Sequence, residues 1–238
     1  MTDEVQESKA YWSSIPFAYY HTDGPQRRMI VESIRDLGRE RPIRSVLEFG
    51  CNVGRNLHLI SRSLTPAPRV VGLDINEAAL ADGRRAYGLD LRTGSEESLS
   101  AIGDGEFDCA FTVSVFDHIP DVERVRGAIV DLRRIAKRYL LFLEPFNGRA
   151  GRDLTEKVVK FNYYWDYRAL LRDLGLRTIH DLWYPLGYAT PLQPRYRLFV
   201  VALEPDGERL STRFVWKCRL ERAMWMALNH PRIARSRA

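Results

Sequence analysis

The stretch Val46 to Asn56, VLEFGCNVGRN, ends an apolar run with an acidic residue, Glu48, and two glycines, Gly50 and Gly54. A strand entering a glycine turn and then a helix lets backbone amides come close to a bound nucleotide, a device that several cofactors share. Dinucleotide spacing is absent, because counting from Gly50 puts Asn52 and Arg55 where the second and third glycines of G-x-G-x-x-G belong. A second apolar run, VVGLDIN, closes on Asp74. A carboxylate at such a strand tip can accept both hydroxyls of a ribose, although in DINEAAL the same residue could instead cap a helix. Farther on, FDHIP brings together Asp117 and His118, two side chains able to carry protons.

These residues need strands that end together. Short apolar runs rich in β-branched residues predict strands over Ser45 to Phe49, Arg69 to Leu73, Leu89 to Thr93, Phe107 to Val113, Arg138 to Leu143, Arg177 to Trp183 and Arg195 to Leu203. Helical periodicity between them is clearest where Val122, Val125, Ile129, Leu132 and Ala136 step by three and four, with Asp121 as N-cap. Alternating strand and helix predict an α/β fold with a mostly parallel seven-stranded sheet and helices on both faces. YPLGYATPLQP is too short for a crossover helix, so the last two strands should form an antiparallel hairpin. The expected division is an N-terminal helical lid or substrate-binding segment at 1–44, a core at 45–204 and a basic helical extension at 205–238.

With these elements in order, the stretch Val46 to Asp74 and the later FDCAFTVSVFDHIPD resemble a class I, Rossmann-like S-adenosylmethionine-dependent methyltransferase over about Arg41 to Leu203. The resemblance implies that Glu48 reaches the methionine ammonium, that Gly50 and Gly54 line the methionine and ribose, and that Asp74 holds the ribose diol. It also implies that Ser95 and Glu96 meet the adenine amine and that the fourth strand tip, with Val113 and Ser114, passes beneath the cofactor. The family commonly has glycine at the position of Asn52; asparagine tolerates a positive φ better than most residues, so cofactor binding there is expected to persist.

Methyl transfer from a sulfonium is an in-line displacement that asks for alignment and exclusion of water, with no metal and no covalent residue. His118 and Asp117 are the candidate bases for an oxygen or nitrogen acceptor. Tyr11, Trp12, Phe17, Tyr19, Tyr20 and His21, and then Phe161, Tyr163, Tyr164, Trp165 and Tyr167, form two aromatic clusters suited to flat rings or sugar faces. Tyr19, Tyr20, His21, Tyr164 and Trp165 are the acceptor-binding candidates. The expected acceptor is a small molecule, a sugar or another ring-bearing metabolite. The competing readings are a non-catalytic cofactor-binding or scaffold protein and an RNA methyltransferase; nucleic acid is disfavoured because no N/D-P-P-Y/F sequence follows the fourth strand.

Composition bounds the setting. Three cysteines, Cys51, Cys109 and Cys218, have no CxxC spacing and suit small apolar core positions, and MTDEVQESKAYW lacks the pattern of a secretory signal, which together predict a cytoplasmic protein. Net charge is +5, yet eight Lys and Arg against Glu221 alone from Arg209 onward give +7, leaving about −2 for residues 1–208 by difference. In that segment Trp216, Leu220, Met224 and Leu228 recur at helical spacing beside Phe214 and Trp225, with Arg219 and Arg222 on another arc. A helix packed on its own domain or on a dimer mate is the favoured expectation; peripheral contact with an anionic membrane is the alternative.

Overall fold

A computed structural model describes residues 3–21, 25–146, 151–152, 162–184, 196–205, 207 and 209–235. Helices α1 (Asp3–Ser14) and α2 (Pro25–Leu37) precede β1 (Ser45–Phe49), α3 (Arg55–Ser63), β2 (Arg69–Asp74), α4 (Glu77–Tyr87), β3 (Asp90–Thr93) and β4 (Phe107–Val113). Then come α5 (Val122–Ile135), β5 (Ala136–Pro145), the short β6 (Gly151–Arg152) and β7 (Tyr163–Tyr164), α6 (Tyr167–Asp173), β8 (Thr178–Tyr184), β9 (Tyr196–Ala202) and α7 (Thr212–Arg235). The seven strands expected from sequence are present with ends within two residues. The small β6-β7 ribbon was not expected, and the YPLGYATPLQP loop after Tyr184 lies outside the described residues.

The large sheet has the order β3-β2-β1-β4-β5-β9-β8. Its first five strands run parallel, and β9 pairs antiparallel with both β5 and β8. Chain order reverses between β1 and β4, and a crevice opens at the carboxyl ends of parallel strands at such a switch point.

Side chains alternate across each strand. Along β1, Leu47 and Phe49 join Val125, Ile129 and Leu132 of α5 in one core layer, while Val46 joins Ile30, Ile34, Leu57 and Ile60 of α2 and α3 in the other. Each such large aliphatic side chain contributes about 1.5–3 kcal/mol when fully buried. The period of two gives Glu48 the α2/α3 side of the sheet, where it is 1% exposed. Asp121 caps α5 as expected, accepting the N–H of Glu123 at 2.9 Å. Cys51, Cys109 and Cys218 are all unpaired thiols in buried positions. Among the described residues no helix is long and apolar enough to cross a membrane.

Candidate active site

A cavity of about 510 Å³ opens above the ends of β1, β2 and β4 and is roofed by α1 and the residues that follow it. Glu48, Gly50, Asn52, Asp74, Ser95, Glu96, Val113, Ser114, Asp117, His118 and Tyr20 line it, so the fold gathers most of the residues singled out from sequence.

The floor is built by the turn after β1. Gly50 has φ +77°, and a Cβ there would lie 2.2 Å from Val115 Cγ2, so both backbone shape and space require glycine. Asn52 takes φ 49°, the left-handed conformation expected of it, and its own Oδ1 accepts the N–H of Val53 at 2.9 Å. Gly54 does not line the cavity; it stands before α3, and a Cβ there would press on Leu91 Cδ2 at 2.9 Å. Its requirement is a left-handed backbone, φ +72°, together with packing against β3.

Glu48 is the buried carboxyl of this floor. Asn56 Nδ2 donates to Glu48 Oε1 at 2.5 Å, and Arg27 Nη1 donates to Asn56 Oδ1 at 3.0 Å. Because Arg27 only donates, it fixes which end of the Asn56 amide faces the carboxylate. Glu48 Oε2 is buried with no hydrogen-bond partner among the described residues, and burial pushes this carboxyl up to about 8. A bound cation at that oxygen would supply the missing partner.

Asp74 Oδ2 accepts the N–H of Asn52 at 2.7 Å and Oδ1 accepts that of Asn76 at 2.8 Å. The cap of α4 is Asn76, whose Oδ1 accepts from Ala79 N–H at 3.0 Å, so the capping role open to Asp74 falls to its neighbour. Asp74 instead braces the glycine turn and retains acceptor capacity toward the cavity. Burial raises its pKa, and the backbone donors oppose that rise. Asn76 also donates to the carbonyls of Trp12 and Ile15 at 3.3 and 3.2 Å, tying the end of α1 to the site.

Beyond β3, Glu96 Oε1 accepts from Arg124 Nε at 2.7 Å and lies 3.3 Å from Lys9 Nζ. Ser95 Oγ donates to Glu97 Oε2 at 2.9 Å. Lys9 of α1 is therefore anchored at the same corner. Ser8 Oγ adds a bond to the His118 carbonyl at 2.7 Å.

At the tip of β4, Ser114 has φ 54° and its hydroxyl meets Tyr196 OH. Residues Phe116–His118 form a single 3-10 turn held by Glu144, a fully buried residue at the end of β5. Glu144 Oε1 accepts from Thr112 Oγ1 at 2.6 Å and Oε2 from Val115 N–H at 3.1 Å. Burial brings Glu144 up to about 8; burial and then Glu144 itself push Asp117 well above the carboxylate range. The His118 ring lies on Trp12, with centroids 3.7 Å apart, and its Nε2 is 3.7 Å from Asp117 Oδ1.

The aromatic clusters divide. Tyr11, Trp12 and Tyr20 line the cavity, whereas His21 is engaged by Tyr87 OH at 2.6 Å and Asp82 Oδ2 at 2.7 Å on α4. Tyr164 and Trp165 are buried outside the cavity lining. Trp165 Nε1 donates to the Phe116 carbonyl at 2.8 Å and so supports the 3-10 turn from below. The side chain of Tyr19 and all of Phe161 lie outside the described residues.

Sequence reasoning missed Arg27, Asn56, Asn76, Glu144 and Tyr196. Asn56 stood within the quoted glycine stretch, and Glu144 had a signal of its own: a lone acidic residue in the apolar run YLLFLEPF. Nothing local marked Arg27, whose role comes from the return of α2 over β1.

The sheet order and the crevice at its switch point are those of a Rossmann-like α/β fold that solved methyltransferases share. Residues 46–138 match the family model described as a methyltransferase domain. Magnesium protoporphyrin IX methyltransferase from Synechocystis PCC 6803, solved with bound S-adenosylmethionine, superposes with TM-score 0.60 at 17% identity, covering 85% of this chain and 98% of that one. The N-methyltransferase NodS from Bradyrhizobium japonicum, solved with S-adenosylhomocysteine, superposes with TM-score 0.59 at 15% identity, covering 86% and 100%. An O-antigen chain terminator bifunctional methyltransferase/kinase of Escherichia coli is 32% identical over 135 residues, half of this chain and 18% of that protein. The chain spans between 16% and 28% of the length of the curated relatives it matches.

Proposed function

We propose that the protein transfers the methyl group of S-adenosylmethionine to an oxygen or nitrogen of a small molecule bearing a sugar or another ring, in the cytoplasm. The observation that carries this reading is the unpartnered oxygen of Glu48, a residue that lines the crevice beside the turn after β1. The bound cofactor supplies a methyl group activated by sulfonium charge. Glu48 Oε2 would take its ammonium, Arg27 would answer its carboxylate, Asp74 would hold the ribose diol, and Ser95 and Glu96 would border the adenine.

The acceptor enters between α1 and the β4 tip, where Trp12, Tyr11, Tyr20 and Tyr196 form an aromatic wall with polar tips. Residues 1–44 thus act as lid and acceptor-binding segment over the core at 45–204. Of the two proton carriers, Asp117 is the poorer candidate, because it is buried and its pKa is raised by burial and then by Glu144 beside it. His118 takes the acceptor proton as the nucleophile attacks in line. The likeness to an O-antigen chain terminator bifunctional methyltransferase/kinase supports a sugar-linked acceptor.

Calorimetry with S-adenosylmethionine and S-adenosylhomocysteine tests the cofactor. Absence of binding to either at about millimolar concentration, an energy near −4 kcal/mol, would remove the enzymatic reading in favour of a scaffold. Incubation of cell extract with methyl-labelled cofactor, followed by mass spectrometry, identifies the acceptor; label confined to RNA would overturn the small-molecule assignment.

A further inference from the structure

Helix α7 has two apolar faces. Phe214 and Cys218 are buried against the domain, and Leu210 just before the helix is buried with them. Trp216, Leu220 and Met224 point the other way, 62%, 60% and 56% exposed. Spaced by four, they form one stripe, and they account for all but Val130 of the exposed large apolar side chains among the described residues. Scattered exposed apolar residues are ordinary; an aligned set marks a contact surface.

Charge decides what the surface fits. At about 100° per residue, Arg213 lies on the stripe's own arc one turn before Trp216, Lys217 borders it on one side and Arg219 on the other, all exposed. Lys217 Nζ also bonds Glu32 Oε2 of α2 at 2.6 Å, and Glu221 is the lone acidic residue from Arg209 onward against eight basic ones. A second copy meeting this face about a two-fold axis would set a +7 segment against itself. RNA would neutralise the charge but leave Trp216, Leu220 and Met224 without apolar surroundings. An anionic bilayer surface satisfies both: apolar side chains enter the boundary between headgroups and acyl chains, and basic side chains meet lipid phosphate.

We propose that α7 is an interfacial helix that docks the domain onto an anionic lipid bilayer through Trp216, Leu220 and Met224, flanked by Arg213, Lys217 and Arg219. The buried face of the helix fixes it to the core, so the crevice is held at a set position relative to the lipid surface.

The test is sedimentation of the full chain with vesicles of phosphatidylcholine alone and of phosphatidylcholine and phosphatidylglycerol in equal parts. The expected result is binding to the anionic vesicles only, weakened roughly tenfold or more by Arg213→Glu with Arg219→Glu and reduced by added salt. The triple variant Trp216→Ser, Leu220→Ser, Met224→Ser should lose vesicle binding while keeping its melting temperature and its affinity for S-adenosylhomocysteine. No binding to anionic vesicles, or unchanged binding by the triple variant, overturns the proposal. So does a wild-type dimer that light scattering shows becoming monomeric in the triple variant, or binding to RNA without binding to vesicles.

Discussion

Asn56 Nδ2 lies 2.5 Å from Glu48 Oε1, across the junction of α3 and β1, and leaves the other oxygen of that carboxylate buried without a partner. Glu48 is pushed up to about 8, so near neutral pH it is largely protonated in the ligand-free protein. An ammonium at Oε2 favours the ionised form, so cofactor binding should release a proton below about pH 8. Calorimetry in buffers of different ionisation enthalpy measures that proton. Glu48→Gln should abolish the release and weaken binding at least tenfold, a change of about 1.4 kcal/mol.

The same burial sets how stability depends on pH. Glu48 and Glu144 both titrate near 8 when folded and near 4.5 otherwise, so between those values the folded state holds more protons. Their contribution to stability therefore falls as pH rises from about 4.5 to about 8. Urea unfolding across this range should show a shallower loss in Glu48→Gln than in the wild type.

Asp74 joins two backbone amides to the cavity. Asp74→Ala should weaken cofactor binding by about 1.5–3 kcal/mol, with an accompanying loss of stability because the Asn52 and Asn76 amides lose their acceptor. Unchanged affinity with a sharply lower melting temperature would make Asp74 a structural brace alone.

His118 and Asp117 differ in burial, Asp117 being the more enclosed. Asp117→Asn should change methyl transfer little, because burial and then Glu144 raise the pKa of this carboxyl and disfavour its charged form. His118→Gln should lower kcat by about 10² or more while leaving the affinity for S-adenosylhomocysteine close to that of the wild type. Equal losses in the two variants would assign the proton step elsewhere.

Gly50→Ala meets Val115 Cγ2 at 2.2 Å and keeps an unfavourable φ of +77°. The expected cost is about 1–3 kcal/mol from overpacking, with a further ~1 kcal/mol or more from the left-handed backbone. Urea unfolding measures it.

Pattern made the sheet legible. Short apolar-rich strands separated by helical repeats leave few arrangements other than a parallel sheet, and the short link between the last two strands demands a hairpin. Glu48, Gly50, Asn52 and Asp74 were legible as well, since a turn after a strand tip is a local structure whose residue types follow from backbone shape. The two short strands of the β6-β7 ribbon carry no comparable signal.

The amino-acid sequence by itself determined the α/β fold, the glycine floor and the acidic residues at two strand tips, because these follow from period, turn geometry and side-chain chemistry over a few neighbouring residues. Only the tertiary structure decided that Arg27 reads Asn56, that Glu144 lies beneath the Asp117 turn, and that His21, Tyr164 and Trp165 serve neighbours outside the cavity. It also decided that α7 buries Phe214 and Cys218 and leaves Trp216 in solvent. These contacts join residues far apart in the chain, and their partners are chosen by how helices cross the sheet and which side chain reaches a given gap first. Composition and spacing do not carry that information.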